Sequence, residues 1–312
     1  MNSLKIALAQ YHVQAQLGWD AYAAKITKWV EEAAVEGARV LVFPEYAALE
    51  LTSLLSAEIQ ADVRRQLPAL QPFHEHFVGL HRSLAALHGV YLVAGSFPVQ
   101  DGDKFVNRAY FLTPEGTVHH QDKLVMTRFE DEKWGVSAGE GLSVFQTPLG
   151  NLAVLICYDS EFPHLARALA EGGAEVLLVP SCTETIMGYH RVEIGSRARA
   201  LENQLYAVQA PLVGAVPWNE AIDVNTGAAG AYGPIDHGFS PQGDGVIVKG
   251  PLGVATWVYA DLDVAKLRQV RADGTTLNYQ HWPLGEAQAR GGAQVLSLGV
   301  ADPSALRASP LG

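Results

Sequence analysis

The sequence predicts an α/β protein, on two observations. Short apolar runs that read as buried strands alternate with segments whose apolar residues recur at helical spacing. A strand–helix–strand pattern also occurs twice, about half a chain apart. GARVLVFPE at 37–45 and GAEVLLVPS at 173–181 share Gly, Ala, Val, Leu and Pro in register, and the strand-like runs LKIALAQ at 4–10 and LAVLICY at 152–158 stand upstream of them. Two related halves of one domain account for this echo, whereas a solenoid needs three or more short repeats.

Each element follows from local signals. After the first strand, Asp20 is a helix cap, Tyr22, Ile26, Trp29, Val30 and Ala33 share one face, and Gly37 suits the stop. Trp29 lies on that stripe and reads as core. Val40 to Phe43 is a second strand, with Glu45 just past its end. A helix over 73–88 carries His74, His76, His81 and His88, read mostly as surface residues. H-E-x-x-H is absent, and His74 and His76, two apart, do not share a helical face, so no metal site is expected. Val90 to Phe97 and Ala109 to Leu112 are strands joined through a turn at DGDK, 101–104. In the second half, Leu152 to Ile156 is a strand, Pro163 starts a helix with Leu165, Ala168 and Leu169 on its stripe, and Gly172-Gly173 ends it. Gly, Ala, Pro and Asn dominate 214–234, which reads as a long loop near the site. Residues 1–282 form the expected domain, and 283–312 a C-terminal tail or arm.

Composition narrows the function. The chain has 312 residues, 48% hydrophobic and 18% charged, ordinary values for a soluble globular protein. A net charge of −11, with 33 acidic and 22 basic residues and no basic run, argues against nucleic acid as a partner. MNSLKIALAQ lacks the features of a signal peptide, and no apolar window is long enough for a membrane span. Cys157 and Cys182 are the only cysteines, so no disulfide framework is expected. A cytoplasmic setting is the expectation.

The chemistry concentrates in LAVLICYDSEFP, 152–163. An apolar strand delivers Cys157 into a polar turn beside a helix start, where backbone N–H groups favour developing negative charge. That placement predicts a thiolate-favouring site and part of an oxyanion hole. Two further segments join it: RVLVFPEYA at 39–47, which carries Glu45, and HHQDKLVMTRFEDEKWG at 119–135, which carries Lys123. Cys182 is a weaker rival nucleophile, because no helix start accompanies it.

Glu, Lys and Cys-Tyr-Asp-x-x-Phe-Pro, in this order and at these separations, resemble the carbon–nitrogen hydrolase family, the nitrilase superfamily, and its amidase-like branch. The resemblance continues through PSCTETIMGYH at 180–190, RARALENQLYAVQA at 197–210 and GVATWVYADLDVAKLRQVR at 253–271. It implies a four-layer α-β-β-α sandwich that assembles as a homodimer or larger homo-oligomer. It also implies hydrolysis of a small-molecule amide without metal or cofactor. Cys157 is then the nucleophile, Glu45 the general base, and Lys123 the cation that favours the thiolate and, with the Tyr158 N–H, stabilises the oxyanion. A second glutamate is expected beside the lysine. Glu132 is favoured over Glu130 by its spacing to Gly139.

Tyr46, Trp134, Tyr158, Tyr189, His190 and Trp218 lie in loops next to these motifs and are candidate pocket walls; Arg197 and Glu202 read as structural ion pairs. Many relatives carry Arg where this chain has Glu161. The change predicts loss of a carboxylate clamp and a preference for neutral or cationic substrates, unless Glu161 only caps the next helix. Alternatives are an N-carbamoyl amide hydrolase, a nitrilase, acyl transfer to an amine, or an idle binding module. Tyr158-Asp159, where nitrilases usually have Trp-Glu, argues against the second, and the intact Glu, Lys and Cys against the last.

Overall fold

The computed structural model describes residues 3–296. Along the chain run β1 (Leu4–His12), α1 (Trp19–Val35), β2 (Val40–Val42), α2 (Ala57–Gln60), α3 (Val63–His88), β3 (Tyr91–Asp101), β4 (Lys104–Leu112), β5 (Val118–Asp122), β6 (Val136–Ser137), β7 (Val144–Thr147) and β8 (Gly150–Val154). They are followed by α4 (Pro163–Glu171), β9 (Val176–Ser181), α5 (Ile186–Asn203), β10 (Tyr206–Ala215), β11 (Val224–Asn225), β12 (Gly230–Tyr232), β13 (Val246–Lys249), β14 (Thr256–Leu262), α6 (Val264–Asp273) and α7 (Asn278–Ala289).

The repeated half is visible in the sheets. Across the first, β14–β1 is antiparallel, β1–β2 and β2–β3 are parallel, and β3–β4 and β4–β5 are antiparallel. Across the second, β7–β8, β8–β9, β9–β10, β10–β12 and β12–β13 repeat the same order of relations. Parallel neighbours need crossovers, and here helices supply them. β1 and β10 join the sheets where Tyr11 and His12 run parallel to Leu212 and Val213.

Alternation along the strands builds the layers. Ile6 and Leu8 of β1 enter the core shared with β8, β9 and β10, whereas Ala7, Ala9 and Tyr11 face α1 and α3. Between the sheets, Phe111 stacks on Phe145 at 4.4 Å between ring centroids. The arrangement is the four-layer α-β-β-α sandwich.

Several local expectations need correction. Gly18, not Asp20, occupies the α1 cap position, and Asp20 lies in the first turn. Helix α3 begins ten residues before the expected 73 and runs through Pro68 and Pro72, capped by the Asp62 side chain. Leu67, Leu70, Phe77, Leu84 and Ala85 form its buried stripe, and that packing outweighs the local cost of proline. His81 is buried rather than on the surface, because it lies on the same stripe between Phe77 and Phe43. Ala168 is exposed, and Ala166, Leu169 and Ala170 form the buried face of α4.

Residues through Tyr279 form one compact unit, and Gln280 begins a second, whose described part continues α7. Residues 297–312, most of the expected tail, lie outside the described residues. Among the described residues, no helix is long and apolar enough to cross a membrane.

Candidate active site

Glu45 is placed by the turn that ends β2. Gly95 lies on β3 with φ +77°, and a Cβ there would meet the Pro44 carbonyl oxygen at 2.3 Å. A glycine in that conformation lets the two backbones close up. The neighbouring Ser96 Oγ accepts the Tyr46 N–H at 2.8 Å and fixes the turn. Lys123 follows β5 directly, and its N–H donates to the Asn107 carbonyl at 2.9 Å.

Cys157 opens a 3₁₀ turn, Cys157–Glu161, and has φ +48°. A side-chain residue in that region is strained and is held only by surrounding structure. The Ser160 hydroxyl donates to the Cys157 carbonyl at 2.6 Å, and Pro163 begins α4. On the other side α5 approaches through Gly195, where a Cβ would stand 3.0 Å from the Ser160 carbonyl oxygen.

A buried network links these segments. Lys123 Nζ donates to Glu45 Oε1 at 2.8 Å and to both Glu130 oxygens at 2.8 and 2.7 Å. Glu45 also accepts from Asn107 Nδ2 at 2.9 Å and from the Cys182 N–H at 3.0 Å. Glu130 accepts from the Tyr46 hydroxyl at 2.6 Å and from the Thr127 N–H and Oγ1, both at 2.8 Å. The Cys157 thiol faces the Cys182 carbonyl oxygen at 3.6 Å. Asp159 accepts the Val125 N–H at 2.8 Å and the Leu124 N–H at 3.2 Å, tying the Cys157 turn to the lysine segment.

The electrostatics divide the two glutamates. Burial pushes the Glu45 carboxyl up; Lys123 pulls it back, and Glu130 adds to the rise. Burial acts on Glu130 too, but Lys123 and the hydrogen bonds from Lys123, Tyr46 and Thr127 hold it below the usual carboxylate range. Burial works against the Lys123 ammonium, yet Glu130 and Glu45 keep it well above the usual lysine range. For Cys157, burial and then Glu45 push the thiol well up, against Lys123. The resting sulfur is therefore a thiol. The expected thiolate-favouring effect of Lys123 is outweighed by burial and Glu45. Glu45, itself raised, is the carboxylate whose charge acts on the thiol most strongly. Burial also pushes Asp159 up to about 7.

The network opens into a cavity of about 420 Å³. Tyr46, Trp134, Tyr158 and Glu161 line it with Glu45, Lys123, Glu130 and Cys157. Tyr46 also serves the network itself, through its bond to Glu130. Glu132 lies outside: it is exposed and paired with Arg128 at 2.8 Å. The glutamate on Lys123 is Glu130, because 129–134 is one wide turn, closed by the Gly135 N–H on the Glu130 carbonyl at 2.9 Å, that buries Glu130 and Trp134 on one side and leaves Glu132 out.

Tyr189 is buried beside Lys249 rather than in the cavity wall. His190 faces outward and pairs with Glu193 at 3.0 Å. Trp218 donates to Thr52 Oγ1 at 3.2 Å. Arg197 pairs with Asp244 and Glu202 with Arg199. Cys182 lines the cavity, but its thiol faces Asn225 Oδ1 at 3.4 Å while its N–H holds Glu45.

Sequence reasoning missed Asn107, which only the fold brings to Glu45. It also missed Thr127, though Thr127-x-x-Glu130 is a capping-box pattern and the reciprocal Glu130 N–H to Thr127 Oγ1 contact is present at 3.4 Å. The Glu161 position is not without a cation either, because Arg191 of α5 stands 3.5 Å away. Glu161 does not cap α4, whose cap position is Phe162.

Among the described residues, no group of three or more His, Cys, Asp and Glu side chains is placed to hold a metal ion.

The model of the carbon–nitrogen hydrolase family matches residues 5–272. A probable hydrolase of Bacillus subtilis, YhcX, is 34% identical over 272 residues; the match takes in 87% of this chain and 52% of that protein, so the chain spans about half the length of this relative. The omega-amidase NIT2 of Danio rerio is 28% identical over 285 residues, covering 87% of this chain and 92% of its own. The crystal structure of an amidase from Nesterenkonia sp. superposes with a TM-score of 0.64 at 25% identity, over 86% of this chain and 94% of that one. The chain belongs to the carbon–nitrogen hydrolase family.

Proposed function

We propose that the protein hydrolyses the amide bond of a small molecule through a thioester on Cys157. The observation that carries this reading is the meeting, in one cavity, of a strained cysteine with a buried Glu45–Lys123–Glu130 network. The amidase and omega-amidase relatives support the amide as the bond broken.

Amide carbonyls are weak electrophiles, so the nucleophile must be generated in place. Cys157 Sγ attacks the carbonyl carbon as Glu45 takes the thiol proton. The carbonyl electrons move to oxygen, where Lys123 and the Tyr158 N–H offset the charge. The first N–H groups of a helical turn have no partner within the turn, which leaves the Tyr158 N–H available for this task. Collapse of the tetrahedral intermediate breaks the C–N bond, and Glu45 passes its proton to the departing amine. A water then gives a proton to Glu45 and attacks the thioester. The carboxylic acid leaves, and the proton returns to sulfur. Glu130 stays ionised throughout and holds Lys123 in position.

Steady-state assays of ammonia release from a panel of primary amides test the reading. Wild-type protein releases ammonia and Cys157→Ala does not. Equal release by Cys157→Ala would reject it.

A further inference from the structure

The cavity wall holds an ion pair that the proposed chemistry does not use. Glu161 closes the Cys157–Glu161 turn, and Arg191 comes from the second turn of α5. Arg191 Nε stands 3.5 Å from Glu161 Oε1, long for a charge-assisted hydrogen bond, and both side chains line the cavity with Cys157. The Arg191 side chain is 63% exposed and that of Glu161 21%. Within the pair, then, the carboxylate keeps acceptor capacity and the guanidinium keeps donors.

The rim also carries Lys133, 3.8 Å from Glu220, and the cavity lining includes Glu184 and Asp223. That makes four rim carboxylates against two cations, a field that disfavours a simple anion. A lone acidic rim suits any cation. A guanidinium set within it adds a place for a carboxylate next to a place for an ammonium.

Resting on the amide-hydrolase reading, we propose that Glu161 and Arg191 together recognise a zwitterionic head group, so that the substrate class is the ω-amide of a short α-amino acid. The ammonium meets Glu161, the carboxylate meets Arg191, and the amide carbon reaches Cys157. Glu161 and Cys157 end and begin one 3₁₀ turn, which sets their backbones about 8 Å apart at roughly 2 Å per residue. A span of that size suits a chain of a few carbons between head group and amide. Opening the loose Glu161–Arg191 contact exchanges one ion pair for two.

The test is kcat/KM for four amides of matched length: L-glutamine, glutaramic acid without the ammonium, 4-aminobutanamide without the carboxylate, and neutral butanamide. L-glutamine is expected to exceed each singly charged amide by about tenfold or more, the scale of one charge-assisted hydrogen bond. Glu161→Gln should erase the advantage over glutaramic acid, and Arg191→Gln the advantage over 4-aminobutanamide, with partial recovery in Arg191→Lys. Isothermal titration of the same four compounds into Cys157→Ala reads the recognition without turnover. Equal kcat/KM and equal affinity for L-glutamine and either singly charged amide would overturn the proposal, as would ratios unmoved by both glutamine variants. A preference for 4-aminobutanamide would assign the rim to cations instead. Tight binding of L-glutamine to Cys157→Ala with no turnover of any amide by wild type would leave the head-group assignment standing and reject the amide-hydrolase reading.

Discussion

Two glutamates share one lysine, and their surroundings make them different reagents. Glu45 accepts from Lys123, Asn107 and a backbone N–H, yet burial leaves its carboxyl raised; Glu130 gathers Lys123, Tyr46 and two Thr127 donors and is lowered. Glu45 must be ionised to act as base. With its pKa raised, kcat/KM should fall on the acid side at a higher pH than an ordinary carboxylate would give, and Glu45→Gln should remove that limb with most of the rate. A pH–rate profile without an acid limb above the usual carboxylate range would contradict the assignment. Lys123→Ala and Glu45→Gln should each lower kcat by about 10²–10⁴. Their combined loss should fall well short of the product, since both act on one intermediate. Glu130→Gln should cost activity, whereas Glu132→Gln, at an exposed side chain, should not; the two measured side by side decide which glutamate matters.

At the scale of the element, α3 shows both what the sequence discloses and what it conceals. The sequence reading covers 73–88 and omits the first ten residues, which contain Pro68 and Pro72, residues that locally disfavour a helix interior. Only the stripe packed against β3 and β4 restores them. His81, grouped with histidines read mostly as surface residues, is buried by its position on the stripe. Its Nδ1 donates to the Phe77 carbonyl at 2.8 Å, and burial lowers its pKa from 6.5 to about 4. The neutral form is held in the fold, while the unfolded chain takes up a proton below about 6.5. Stability should therefore be full above that pH and fall as pH drops toward 4, by about 3 kcal/mol at the limit. Urea unfolding of wild type and His81→Leu at pH 7 and pH 4.5 checks this; the difference in unfolding free energy between the two pH values should be smaller in the variant. The site was legible wherever strand ends deliver it, as with Glu45, Lys123 and Cys157. It was not legible at Asn107 or Arg191, which reach it only across a sheet register and a helix packing, nor in choosing Glu130, which depends on the width of one turn.

The unit through Tyr279 holds two copies of one sheet plan, foreshadowed by the echo of 37–45 in 173–181. The copies place β2 and β9 so that Glu45, just past one, accepts the N–H of Cys182, just past the other. The proposed chemistry would thus depend on the sheets staying packed face to face. Phe111→Ala removes the ring stacked between them and should cost about 3–5 kcal/mol. Chemical denaturation should show a lower midpoint for this variant. A loss below about 1 kcal/mol would mean that the inter-sheet core repacks freely.

Everything in the catalytic reading passes through a covalent bond to one sulfur. Rapid quench of wild-type protein during turnover of an amide or activated ester, followed by peptide mass spectrometry, measures that bond directly. The account predicts the acyl mass on the peptide containing Cys157, its accumulation with Glu45→Gln when an activated ester bypasses the first step, and its absence in Cys157→Ala. An acyl group on Cys182, or sustained turnover with no acyl group on Cys157, would contradict it.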